Sequence, residues 1–243
     1  MTLREFYLRY VAVRKCGGCR KILEYEYSDS AFCPDCDLAW RAAKTETCEN
    51  CKQSAVECTC MPKGLSSSGA LCLRKLIFYS TKKNREVQNR AIYFLKKNKN
   101  RRIASFFAKE LAPLAKAELR VLTDAPEDNT VIVSVPRGIG ARAEYGFDQS
   151  ELVCGALSEH MGIPYFPAIK RRIGGREQKH LDSKKRFRNV RSLFKLRNKY
   201  DLSGKYVLLF DDVVTTGASM AACVAILKKA GALGVICLCI AED

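Results

Sequence analysis

The fourteen residues from Tyr206 to Ser219, Tyr-Val-Leu-Leu-Phe-Asp-Asp-Val-Val-Thr-Thr-Gly-Ala-Ser, constrain the fold more than any other stretch of this 243-residue chain. Val207 to Phe210 is an unbroken apolar run, the pattern of a strand buried on both faces. Two adjacent carboxylates, Asp211 and Asp212, end it. After the apolar pair Val213 and Val214, a short loop through Thr215, Thr216 and Gly217 leads into a helical pattern at Ala218 and Ser219. A strand, a small-residue loop and a helix N-terminus bring backbone N–H groups and the positive end of a helix dipole to one point, which suits a phosphate. The acidic pair beside it suits a sugar diol or a hydrated Mg²⁺.

The second half of the chain repeats this texture. Thr130 to Val135 reads as a buried strand ended by Pro136, and Gln149 to Met161 as a helix. Ile163 to Ile169 reads as a strand that Pro164 and Pro167 shorten or confine to an edge. A helix over Ala218–Ala230, a stop at Gly231 and a last strand over Val235–Ile240 follow. Strands separated by helices predict an α/β fold with a parallel sheet and ligands at the carboxyl ends of its strands, where both Asp211–Asp212 and Pro136–Arg137 fall. Residues 71–119 read as helical and basic, with Phe78 and Tyr79 ending a short strand, and residues 1–15 as a short packing segment.

Eight cysteines fall within 45 residues: Cys16, Cys19, Cys33, Cys36, Cys48, Cys51, Cys58 and Cys60. A Cys-x-x-Cys turn sets two thiolates on one side of a tight loop, and two such turns make a tetrahedral Zn²⁺ site. Glycines at 17 and 18 suit a positive-φ knuckle. Eight ligands suggest two structural zinc sites, 16/19 with 33/36 and 48/51 with 58/60, with interleaved pairing left open; Cys58-x-Cys60 gives the tighter bite. No secretory signal and no apolar run of about 18 residues is visible, so a reducing cytoplasm is expected, where clustered cysteines read as metal ligands. The Pro, Gly and Ser content between Met61 and Ala70 marks a boundary: a cysteine-rich domain over 1–62, a linker over 63–70 and a second domain over 71–243.

The chain carries a formal net charge of +16. Residues 63–109 hold thirteen Lys or Arg and one acid, and residues 170–199 thirteen against two, so the basicity is local. Two such concentrations point to a polyanion, with Phe78, Tyr79, Tyr93 and Phe187 nearby as stacking candidates. The second tract, with Gly174 and Gly175 among its cations, reads as a basic loop that closes over a pyrophosphate.

The opening stretch resembles the PRPP-binding signature of type I phosphoribosyltransferases. Three further features resemble the ComF family of competence proteins. These are Val135-Pro136 with Gly146-Phe147-Asp148-Gln149-Ser150-Glu151-Leu152, the series Arg172…Gln178…Leu181…Arg186…Asn189-Val190…Phe194, and the cysteine-rich start. Tyr145, Asp148, Gly175 and the final Cys-x-Cys depart from that family's pattern. The resemblance implies a double zinc ribbon ahead of a Rossmann-like phosphoribosyltransferase domain. It also implies PRPP bound with Mg²⁺ and a cytoplasmic role with single-stranded DNA in natural transformation, alongside other competence-machinery proteins. In that frame Asp211 and Asp212 take the ribose hydroxyls, and the amides of Thr215 to Ser219 the 5-phosphate, with Val213 and Val214 in the same PRPP-binding stretch. Arg137, Arg172 and Arg176 take the pyrophosphate; Asp211, Asp212, Arg172 and Arg176 are the catalytic candidates. Three activities remain open on sequence: phosphoribosyl transfer to an unidentified nitrogen acceptor, DNA handling, and PRPP sensing without chemistry.

Overall fold

The four strands β1 (Cys72–Phe78), β2 (Thr130–Ser134), β5 (Tyr206–Val214) and β6 (Gly234–Glu242) form one sheet in the order β1-β6-β5-β2, every pair parallel. This computed structural model describes residues 2–7, 11, 13–79, 87–122, 128–138, 144–172 and 192–243. Successive strand residues face opposite sides, and each side buries its own core. Ile132, Leu208, Phe210, Ile236 and Leu238 belong to one. Val131, Val133, Val207, Leu209, Val235 and Cys237 belong to the other. That double burial explains why these runs are apolar without alternating.

Helices α4 (Val87–Lys97), α5 (Arg101–Leu122) and α6 (Gln149–Met161) pack on the first face. On the second lie α7 (Ala218–Lys229) and a small antiparallel pair, β3 (Ile169–Arg171) with β4 (Phe194–Leu196). The expected helix over 149–161 forms with those bounds. Asp148 caps it by accepting from Ser150 N at 2.9 Å, and Gly162, at φ +74°, ends it in the left-handed region.

Residues 72–78 form edge strand β1, the short strand expected to end at Phe78 and Tyr79. Two expectations change. Residues 163–168 form only an isolated bridge, Tyr165 to Ile132, because Pro164 and Pro167 leave too few ladder donors. Of the described residues of the N-terminal segment, expected to pack, Leu3 and Phe6 of helix α1 (Leu3–Phe6) are exposed, as are Tyr7, Val11 and Val13.

The cysteine-rich segment shares a core with the α/β unit. Helix α2 (Pro34–Lys44) sets Trp40 edge-on against Phe106 and Phe107, and Glu110 receives both Trp40 Nε1 at 3.2 Å and Lys44 Nζ at 2.6 Å. The stretch read as a linker holds a helical turn, α3 (Lys63–Ser66), whose Leu65 is fully buried in the second core. Among the described residues, no helix is long and apolar enough to cross a membrane.

Candidate functional site

The eight cysteines gather into two groups of four, Cys16, Cys19, Cys33, Cys36 and Cys48, Cys51, Cys58, Cys60, the sulfurs of each within 4.8 Å of one another. This is the sequential pairing, and Cys58-x-Cys60 completes the second group despite its short bite. Each begins with the same knuckle. Cys16 N donates to Lys21 O and Arg20 N to Cys16 O; Cys48 N donates to Gln53 O and Lys52 N to Cys48 O. The left-handed residue is Arg20 (φ +71°) in one copy and Lys52 (φ +59°) in the other, so the positive φ expected at Gly17 and Gly18 lies elsewhere. Those glycines are needed for close approach instead. A Cβ on Gly17 would stand 2.7 Å from Ile103 Cδ1, and one on Gly18 2.8 Å from Cys36 Sγ.

Both groups fit a metal. Cys19 and Cys33 sulfurs lie 3.7 Å apart, and tetrahedral Zn–S bonds place sulfurs about 3.8 Å apart. Burial raises the Cys16 thiol, but amide donors led by Cys33 outweigh it and bring the thiol down to about 7. Donation from the Cys51 amide likewise brings Cys48 to about 7, whereas contact with the Cys51 thiol and burial push Cys60 up to about 12. One easily ionised thiol per group begins the deprotonation that zinc completes.

The second group rests on a buried lysine. Lys75, in the middle of β1, is fully buried, and its Nζ donates to Cys60 O at 2.7 Å, reaches Cys58 Sγ at 3.4 Å and pairs with Glu242. Burial works against its charge, yet Glu242 and Cys58 outweigh that and raise its pKa. Four thiolates on one Zn²⁺ leave a double negative charge, and Lys75 offsets part of it. The chain then links this group to the loop between β5 and the next helix. Gly217 packs on Pro62 and Leu65, Glu242 stands opposite Val214, and Asp243 N donates to Val214 O at 2.9 Å.

At the carboxyl ends of β2 and β5 lies a cavity of about 250 Å³ lined by Lys96, Val135, Pro136, Arg137, Gln149, Ser150, Arg171, Asp211, Asp212 and Ser219. The two carboxylates play different parts. Asp212 is buried and already held: Gln149 Nε2 donates to it at 2.8 Å, Val213 N at 2.8 Å, and Lys96 Nζ pairs at 3.4 Å. Asp211 accepts only Asp212 N, at 3.0 Å, among the described residues. Burial and the charge of Asp212 push its carboxyl well above the usual range. Asp211 is thus the carboxylate left for a ligand. Gln149 Oε1 is a buried acceptor without a partner, which a ligand hydroxyl would satisfy.

Helix α7 opens beside this cavity with Gly217 at φ +70° as N-cap and no side-chain cap, so its first amides are unclaimed. Across the cavity, Asp148 also accepts Arg137 N at 2.8 Å and so fixes the loop after β2. The Arg137 guanidinium donates to Lys96 O at 3.1 Å and lies 4.9 Å from the Tyr145 ring centroid. Tyr145, one of the departures from the ComF pattern, thereby braces a cation.

Of the sequence candidates, the structure brings Arg137, Asp211, Asp212 and Ser219 to one cavity. Thr215 and Thr216 are exposed on the adjoining loop, and Val213 and Val214 continue β5 into it. Arg172 is exposed and does not line the cavity; its neighbour Arg171 does, because alternate residues at the end of β3 face opposite ways. Arg176 and the rest of 173–191, with His180 and Phe187, lie outside the described residues. Sequence reasoning missed Lys96, Gln149 and Arg171. Only Gln149 carried a signal, as the first helical residue after a capping Asp.

Known proteins resemble this chain at two depths. It is 35% identical over 111 residues to the DNA utilization protein YhgH of Salmonella typhi, an alignment covering 44% of this chain and 48% of that one. The chain thus spans about half the length of the first curated relatives it matches. A longer likeness, 25% identical over 210 residues and 84% of both chains, is to the competence protein ComFC of Streptococcus pneumoniae. The resemblance to ComF competence proteins read from the motifs is therefore borne out. No protein-family model matches. Among solved structures the likeness is distant: glutamine phosphoribosylpyrophosphate amidotransferase from B. subtilis, 19% identical, TM-score 0.37, covering 61% of this chain and 27% of that one.

Proposed function

We propose that this chain binds PRPP with Mg²⁺ at the ends of β2 and β5 and acts in the uptake or handling of single-stranded DNA during competence. One observation carries the reading: a carboxylate free for a ligand, Asp211, stands beside an uncapped helix N-terminus at the carboxyl edge of a parallel sheet. Asp211 and the orphaned Gln149 Oε1 suit the ribose diol, the α7 amides the 5-phosphate, and Arg137 with Arg171 the pyrophosphate. Bound Mg²⁺ supplies charge neutralisation for the pyrophosphate. The competence and DNA-utilization relatives support the cellular role, as does the strong positive charge, which suits a polyanion; we place that role in the cytoplasm.

Phosphoribosyl transfer is the second reading, and one feature favours it. A cleft of about 560 Å³ lined in part by Phe78, Tyr79 and Thr215 opens beside the loop, with room for a planar acceptor. Pyrophosphate release from PRPP with a nitrogenous acceptor separates transfer from binding alone.

The division of labour between the carboxylates gives the test. Asp211→Asn is expected to weaken PRPP binding about thirtyfold or more, the loss of a charge-assisted hydrogen bond to the ribose diol. Asp212→Asn leaves Lys96 unpaired at the cavity and is expected to destabilise the fold as well as binding. Unchanged PRPP affinity in both variants by calorimetry sinks the assignment.

A further inference from the structure

We propose that the cleft between the first cysteine knuckle and the α4–α5 junction binds the sugar-phosphate backbone of a single-stranded nucleic acid. The proposal rests on the DNA-handling reading above and gives it a location that the two basic tracts of the sequence did not. The cleft holds about 540 Å³ and is lined by Val13, Arg14, Lys15, Arg20, Phe94, Asn98, Asn100 and Arg102. Four of those residues are cations and none is an acid. Arg14 is paired with Asp29 at 2.6 Å, and the same carboxylate acts on Arg102, while Lys15 and Arg20 have no carboxylate partner among the described residues.

Three details point to an anion with a flat neighbour. The Arg102 guanidinium is partly buried, donates from Nη2 to Lys15 O at 2.7 Å, and keeps Nη1 buried with no acceptor. A buried charged donor without a partner is costly, and a phosphate oxygen is the acceptor that suits it best. Arg20 lays its guanidinium 3.5 Å from the centroid of the Phe94 ring, a planar stack that fixes its donors and offers a face to a base. Asn100 uses Oδ1 to cap Ile103 N at 3.1 Å, leaving Nδ2 to donate.

Place in the fold adds a reason. Phe94, on the last turn of α4, and Asn98, just past its end, line the cleft, and Lys96 between them reaches Asp212. Arg102 also lines a second cavity, of about 680 Å³, where Arg41 is paired with Asp37 at 2.8 Å and Asp29 shares the lining with Lys109, so of the two only the cleft is lined by cations without acids.

The test uses the full chain with zinc bound and a labelled oligothymidylate of about 20 nucleotides, read by fluorescence anisotropy across a salt series. Lys15 and Arg20 are both exposed, so Lys15→Ala/Arg20→Ala is expected to fold and keep its zinc. Losing two phosphate contacts should weaken binding about tenfold to thirtyfold near about 0.1 M salt and reduce the salt slope by about 1.4. A matched variant, Lys228→Ala/Lys229→Ala, removes the same charge from the exposed end of α7 and should bind like the parent. Equal loss in both variants reduces the effect to net charge and overturns the proposal. Unchanged affinity in the cleft variant overturns it while leaving DNA binding standing. Loss of polyglutamate binding without loss of oligonucleotide binding assigns the cleft to an acidic peptide, against the proposal. A parent chain that binds no oligonucleotide sinks the DNA-handling reading and this site together.

Discussion

Lys75→Met is expected to cost about 3–5 kcal/mol of stability and to free the metal of the second cysteine group ahead of the first. The reason lies in what the substitution leaves behind. Methionine fills a similar volume, so packing changes little, but Glu242 and the Cys58 sulfur lose their common cation inside the protein. Removing one member of a buried pair is far more harmful than replacing both, so Lys75→Met/Glu242→Gln should recover part of the loss. Urea denaturation measures the first effect. Zinc transfer to a coloured chelator measures the second: the parent should yield two equivalents, one of them released much faster in the variant. Parent-like stability and release would mean that Lys75 is incidental to the cysteine site.

Gly217→Ala is expected to weaken PRPP binding by about tenfold to a hundredfold while leaving both zinc equivalents in place. Gly217 sits at φ +70°, where an L side chain costs about 1–2 kcal/mol. The added Cβ would also stand 3.1 Å from Leu65 Cβ and 3.4 Å from Pro62 Cβ. Leu65 is fully buried and cannot swing aside, so the loop must move. A shift of about 1 Å at the head of α7 would misalign the amides to which the proposal assigns the 5-phosphate. Calorimetry with PRPP checks it, with circular dichroism to confirm folding. Parent-like affinity would place the phosphate elsewhere.

Much of the frame was legible because it follows from local rules. The run Val207–Phe210 had to be a doubly buried strand, Asp148 had to cap, and Gly231 had to stop a helix. What escaped reading depends on direction and on distant packing. Lys75 looked like one more cation in a solvated tract, yet β1 runs beneath the second cysteine group and turns it inward. Arg171 and Arg172 are equivalent in composition, and only the end of β3 decides which faces the cavity. Lys96 and Gln149 reach Asp212 from helices that the sequence places 116 and 63 positions away, a distance no periodicity reports. The same holds for the basic cleft, where knuckle residues 14, 15 and 20 meet Arg102 across the fold.

The account turns on whether the cavity at the ends of β2 and β5 takes PRPP. Isothermal titration of the zinc-loaded chain with PRPP, with and without Mg²⁺, asks this most directly. One site per chain, tight with Mg²⁺ and weakened when the metal is chelated, is the predicted result. A flat titration, or binding indifferent to Mg²⁺, would contradict it.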